Sequence, residues 1–249
     1  MLSVPTFAKG SKNQARERYV LEPWIHPFAG FLTGTSKDVL EIGVGMGADH
    51  LEWAKALPRS LTGIDITDRA IIFTADRLGL YGLCSDLRVA DAENLSFPDE
   101  SFDIVYSYGV LHHSPDTSRA IQEVHRVLRP GGLAKIMIYH SRSLVGYMLW
   151  LRYGLLVLRP LRPLRDIYAH HLESPGTKAF TIAEAQSLFS HFSSTDIRIF
   201  LGPGDLLEGA VGQRHRCLLL RAAKAVWPRW FIRRATKGHG LGMLITAVR

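Results

Sequence analysis

The run Glu41-Ile-Gly43-Val-Gly45-Met-Gly47 places an acid two residues ahead of three alternating glycines. Glycine tolerates left-handed backbone and lets the main chain approach a ligand closely, so the run is suited to cradling a bound small molecule. Gly43, Gly45 and Ala48 also fit the G-x-G-x-x-A of a nicotinamide dinucleotide site, and glycines can simply serve helix–strand packing, so the run alone leaves its ligand open. Asp65 lies about 20 residues on, where an acid can hold ribose hydroxyls. Asp91, with Ala92 beside it, is placed to meet an adenine amino group. Imidazole titrates near neutral pH, so His112, His113 and His140 are candidate general bases. His170 and His171 are candidates for lining a substrate pocket, and Tyr139 is a further candidate near the chemistry. No His-x-x-x-His or Cys/His cluster has zinc-ligand spacing, and no metal is expected.

These residues need elements to position them. Asp38–Ile42 is a short apolar run ending at the glycines, which predicts a buried parallel strand. Helices are predicted over Ala48–Leu57, Asp68–Leu80 and Asp116–Leu128, with Asp68 as a cap. Strands are predicted at Leu61–Asp65, Leu87–Val89, Phe102–Tyr106 and, after a turn at Pro130-Gly131-Gly132, Leu133–Tyr139. The alternation predicts an α/β fold: a Rossmann-like, mostly parallel sheet with helices on both faces. After His140 the pattern changes to a helical insertion following the fifth strand. It then resumes with a helix at Ile182–Phe192, strands at Asp196–Leu201 and Leu241–Val248, and a basic helix at Cys217–Arg234 interrupted by Pro228. We read residues 1–249 as a single domain, comprising a lead-in or lid (1–36), a cofactor-binding core (37–140), a helical insertion (141–180) and a C-terminal part with the basic segment (181–249).

Composition narrows the function classes. Apolar residues make up 47% and charged residues 21% of the 249, which is globular rather than disordered. The two cysteines, Cys84 and Cys217, form no framework, and the first ten residues lack the apolar core of a signal peptide. A cytoplasmic setting is therefore expected. Residues 140–249 hold 16 Lys/Arg against 6 Asp/Glu, while residues 1–139 hold 14 against 17. A basic half attracts phosphates, nucleic acid or an anionic membrane surface, or serves only as a solvated face.

The segments VLEIGVGMG, GIDIT, DAENLSFPDESFDIV, LHH and VLRPGG, in this order between Val39 and Gly132, resemble the class I S-adenosylmethionine-dependent methyltransferases, especially the small-molecule branch called type 11. The resemblance covers about 100 residues, Val39 to Tyr139. It implies S-adenosylmethionine as cofactor, with Glu41, Gly43, Gly45 and Gly47 around its methionine end. It implies Asp65 on the ribose with Ile66 beside the adenine, Asp91 and Ala92 at the adenine amino group, and Ser107, followed by Tyr108 and Gly109, along the methyl end. In this family a Leu-His-His run is also a common structural feature. Methyl transfer from a sulfonium is an in-line displacement, and a base is needed only for a protonated acceptor such as a hydroxyl. His112, then His140, are the candidates.

The position after the fourth strand reads Ser107-Tyr108-Gly109-Val110 in place of the Asn/Asp-Pro-Pro-Tyr/Phe of amino-methylating nucleic-acid enzymes, and neither cysteine suits a pyrimidine C5 mechanism. The expected acceptor is O, N or C of a small or lipid-like metabolite, with nucleic acid disfavoured. An RNA methyltransferase and a non-catalytic accessory subunit are the alternatives. Leu144, Tyr147, Met148, Leu151, Leu155 and Leu158 recur at helical spacing, followed by Arg159, Arg162 and Arg165. The stretch is too short for a membrane span and predicts a substrate lid, a peripheral membrane contact or an oligomer interface.

Overall fold

The computed structural model describes residues 16–208 and 227–249. The lead-in Ser3–Gln14, Cys217 and the first part of the predicted basic helix lie outside the described residues. Seven strands form one sheet in the order β3-β2-β1-β4-β5-β7-β6. They are β1 (Asp38–Ile42), β2 (Ser60–Asp65), β3 (Asp86–Val89), β4 (Phe102–Tyr108), β5 (Leu128–Tyr139), β6 (Ser194–Phe200) and β7 (Gly242–Val248). The pairs β1–β2, β1–β4, β2–β3 and β4–β5 are parallel. The hydrogen bonds of β7 are antiparallel to β5, since Gly131 N–H bonds Arg249 O while His140 N–H bonds Leu241 O. The chain order therefore reverses at β1, between β2 and β4, which is where an open α/β sheet leaves a crevice at its carboxyl edge.

The α-helices among the described residues are α1 (residues 16–21), α2 (Ile25–Ala29), α3 (Ala48–Lys55), α4 (Asp68–Gly79), α5 (Thr117–Val127), α6 (Leu144–Tyr153), α7 (Leu164–His171), α8 (Ile182–Leu188) and α9 (Arg229–Ala235). Contacts divide the chain into two compact units. One comprises Met1–Met137, Gln186–Asp196 and Ile245–Arg249, and the other Ile138–Ala185 and Ile197–Leu244.

In the first unit β1 is buried along Val39–Ile42, as its apolar run requires. Trp53, Phe31 and Tyr106 pack edge to face, with centroids 5.0–6.2 Å apart, beside Ile25, Leu51 and Ile104. At the amino ends of the strands, Arg59 and Arg129 bridge Asp38 and Asp103. Two differences from the predicted elements have clear causes. The cap of α4 is Thr67, whose hydroxyl accepts from Ala70 N–H, and Asp68 lies inside the first turn. Pro130-Gly131-Gly132 does not end a separate turn. Gly131 at φ 76° carries β5 through it, opposite a register shift between Phe102 and Ile104.

The family-like segment between β3 and β4 is held by α5. Glu123 accepts Leu95 N–H, and the Arg126 guanidinium donates to the carbonyls of Leu95 and Phe97 and to Asp99. Glu93 accepts from the Ser114 hydroxyl and Asp116 N–H. Glu93 and Glu123 thus fix the loops on either side of this segment.

In the second unit α6 and α7 pack through Leu149, Ile167 and Tyr168. The Ser143 hydroxyl caps α6 by accepting Gly146 N–H, and Tyr168 donates to Ser141 O at 2.8 Å. Buried Asp205 accepts the N–H groups of Val145, Gly202 and Leu241. The apolar spacing predicted one helix through Leu158. The helix instead stops at Tyr153, because Gly154 leaves the helical path.

Candidate functional site

The β1–α3 loop is built from its glycines. Gly43, Gly45 and Gly47 take φ of 84°, 52° and 69°. A Cβ on Gly43 would lie 2.2 Å from Val110 Cγ2, and one on Gly47 would lie 2.7 Å from Thr74 Oγ1. A Cβ on Gly45 would meet nothing within 4 Å, so its left-handed turn faces open space. Gly109, after β4, has the same character at φ 78°. Gly43 and Val44 N–H both donate to Ile64 O, at 2.7 and 3.1 Å, and stitch the loop to β2.

Asp65 ends β2 beside this loop. One carboxylate oxygen accepts Gly45 N–H at 3.1 Å, and the other accepts the N–H and hydroxyl of Thr67. Next to it Ile66 is 71% exposed, an apolar side chain standing in solvent at a sheet edge. Asp91, also exposed, accepts Glu93 N–H at 2.9 Å in a turn with Ala92 partly buried. Ser107 is fully buried, and its hydroxyl donates to Ile42 O at 2.9 Å. Any contact of Ser107 with a ligand therefore runs through its backbone.

Glu41 is buried beneath the loop, its Oε2 2.9 Å from His50 Nδ1. The other nitrogen, Nε2, lies 2.8 Å from Ser85 Oγ, and that hydroxyl donates to Leu61 O. The Ser85 proton being committed, Nε2–H must donate to Ser85. One proton then lies between Oε2 and Nδ1, and the pair carries no net charge. Burial pushes Glu41 well above the usual carboxylate range, with the charge of Asp49 adding to it, and pushes His50 down to about 3. Gly63 makes room for the ring, since a Cβ there would lie 2.6 Å from His50 Cε1.

Neighbouring Asp49 is a hub. Arg18 grips it with Nε and Nη2 at 3.1 and 2.8 Å, and the Tyr19 and Tyr106 hydroxyls donate at 3.0 and 2.9 Å. Burial, and then the charge of Asp49, raise both phenols, so they remain donors. Trp24 Nε1–H donates to the Tyr108 hydroxyl at 2.8 Å, and that hydroxyl donates to Glu22. Residues 18–24 are thus pinned to α3 and to the end of β4. Sequence reasoning missed Arg18, Asp49 and His50. The available signal was Asp49-His50 in the apolar first turn after the glycines, a polar pair that burial forces into partnership.

His112 sits in the short turn Leu111–His113 after β4 and is fully buried. Burial, and next His113, hold it well below the ordinary histidine range. His140, in the second unit, is also buried, and its Nδ1 donates to Gly240 O at 3.1 Å. A carbonyl only accepts, so this bond fixes the tautomer with the lone pair on Nε2. Burial lowers it too.

A protein-family profile described as a methyltransferase domain matches residues 40–136. The 27-O-demethylrifamycin SV methyltransferase of Amycolatopsis mediterranei is 40% identical over 109 residues, which are 42% of this chain and 39% of that protein. The phthiotriol/phenolphthiotriol dimycocerosates methyltransferase of Mycobacterium tuberculosis is 43% identical over 97 residues, 39% of this chain and 35% of that protein. The match thus spans well under half the length of these relatives. Among solved structures, an S-adenosylmethionine-dependent methyltransferase from Thermotoga maritima covers 98% of both chains at 16% identity with a TM-score of 0.56. Another from Mesorhizobium loti covers 87% of this chain and 92% of its own at 15% identity, with a TM-score of 0.56. The fold is that of these proteins, and the expected Rossmann-like sheet is borne out.

Proposed function

We propose that this chain, through its residues 40–136 a member of the class I S-adenosylmethionine-dependent methyltransferases, transfers a methyl group to a hydroxyl of a small or lipid-like metabolite. The observation that carries the cofactor reading is the open left-handed turn at Gly45, tied to Asp65 and flanked by exposed Ile66. Glycine backbone with room above it, a carboxylate at the adjacent strand end and an apolar platform fit a nucleoside bearing an amino acid tail.

When bound, S-adenosylmethionine supplies a methyl group already activated on a sulfonium. The chain then has to hold and orient it. Gly43 and Gly45 give backbone approach, Asp65 offers oxygens to ribose hydroxyls, Ile66 offers its side chain to the adenine, and Asp91 with Ala92 meets the adenine edge. Glu41 is kept in place by His50, and Gly47 lets α3 begin close to α4. Both candidate bases are buried, and His140 is preferred because the Gly240 carbonyl sets its Nε2 lone pair. A hydroxyl acceptor agrees with the relative named for a 27-O-demethyl compound, and a lipid-like one with the relative named for dimycocerosates.

An RNA substrate is favoured only by the basic C-terminal half, and an accessory role would keep cofactor binding without turnover. Incubation with S-adenosylmethionine and either a metabolite extract or RNA separates the three. Release of S-adenosylhomocysteine with the extract alone is expected. Release with RNA alone, weakening steeply with salt, would replace the acceptor class, and release with neither would favour the accessory role.

A further inference from the structure

After α6 ends at Gly154, the chain makes a short turn at Leu155–Val157 and presents an apolar ridge. Leu156 is 65% exposed, Leu158 90% and Leu161 94%, with Leu155 and Val157 also in solvent. The ridge is built rather than loose. Arg159 N–H donates to Gly154 O at 2.8 Å, Leu158 N–H to Leu155 O at 3.0 Å, and Trp150 Nε1–H to Pro160 O at 3.1 Å. Leu158 itself takes φ 58°, a left-handed conformation that glycine adopts freely and leucine does not. A strained leucine with nearly its whole side chain in water contributes nothing to folding.

The surroundings select a partner. From Leu144 to Arg165 the chain has four arginines and no acid. Arg162 is taken up by Asp166, while Arg159 and Arg165 are exposed beside the ridge. Two copies of this ridge would set arginine against arginine, and a nucleic acid would leave the leucines in water. An anionic lipid surface satisfies both components, burying the leucines in the acyl boundary and holding the arginines at head groups. We propose that residues 155–161 are a membrane-docking ridge for anionic lipid. This contact is narrower than the predicted helix Leu144–Leu158, and it stands independently of the methyl-transfer reading.

The test is co-sedimentation of the full chain with phosphatidylcholine vesicles, with and without phosphatidylglycerol. Wild-type protein is expected to bind the anionic vesicles and to be released by salt. Leu158→Ser with Leu161→Ser should lower partitioning by at least about tenfold, and Arg159→Gln with Arg165→Gln should remove the preference for phosphatidylglycerol. Leu32→Ser, at another exposed leucine, should leave binding unchanged. Calorimetry with S-adenosylhomocysteine on the same proteins shows that the variants are folded and keeps the two readings apart. Wild-type protein that ignores anionic vesicles at low salt, a ridge variant that binds as wild type, or a dimer that loses the ridge instead of a vesicle contact would overturn the proposal.

Discussion

Replacing Glu41 by Gln should flatten the pH dependence of stability on the alkaline side of neutrality. In the folded chain one proton lies between Glu41 and His50, because Ser85 has committed its own proton to Leu61. In the unfolded chain the two groups return toward ordinary values, near 4.5 for Glu and 6.5 for His. Glu41, raised on folding, contributes stability that is present below about 4.5 and lost as pH rises. His50, lowered on folding, contributes stability present above about 6.5 and lost as pH falls toward 3. Between these values the unfolded chain also holds one proton, on histidine, and the two slopes cancel. Above about 6.5 it holds none while the native pair still holds one, so stability falls by about 1.4 kcal/mol per pH unit. Glu41→Gln can keep a hydrogen bond to Nδ1 without a titrating proton, and its slope above pH 6.5 should be shallower by that amount. Urea unfolding at several pH values reads the difference directly, with contributions from other histidines common to both proteins. Parallel slopes for the two proteins would refute the shared-proton assignment.

Gly43→Ala should destabilise the fold by about 2–4 kcal/mol, combining left-handed strain with overlap on Val110. Adding Val110→Ala should recover the steric part only, and a urea double-mutant cycle without favourable coupling would mean that the two loops do not touch. His140→Ala should lower turnover by about 10²–10⁴ at preserved S-adenosylhomocysteine affinity, while His112→Ala acts chiefly on stability. The reverse pattern in steady-state rates and urea midpoints would return the proton to His112. Asp49→Asn should loosen residues 18–24, seen as faster amide exchange at Arg18 to Trp24, and unchanged exchange there would contradict the hub.

The sheet was legible because its signals are local and redundant. β1, β2 and β4 are largely apolar runs followed by glycine, an acid or a turn, and the helical spacing of Ile121 and Val124 points both into the core from α5, while Leu128, which continues that spacing, already opens β5. The loop at Glu41–Gly47 was legible for the same reason. Its partners were not, because they come from afar: His50 meets Ser85 across 35 positions and Arg18 meets Asp49 across 31. Ser107 shows a further limit. The sequence put it just beyond the fourth strand, where it could meet a ligand, but it lies within β4 and its buried hydroxyl donates to Ile42 O. The end of α6 was missed because the leucine spacing continues through Gly154, and periodicity cannot weigh a single glycine against the helix it would interrupt.

The most direct test of the cofactor assignment is calorimetry with S-adenosylhomocysteine and NAD on wild-type protein and Asp65→Ala. The account predicts S-adenosylhomocysteine binding, no NAD binding, and a loss of about 1–3 kcal/mol in the variant, the scale of a hydrogen bond to a charged group. Tight NAD binding with no S-adenosylhomocysteine binding, or an affinity indifferent to Asp65, would contradict it.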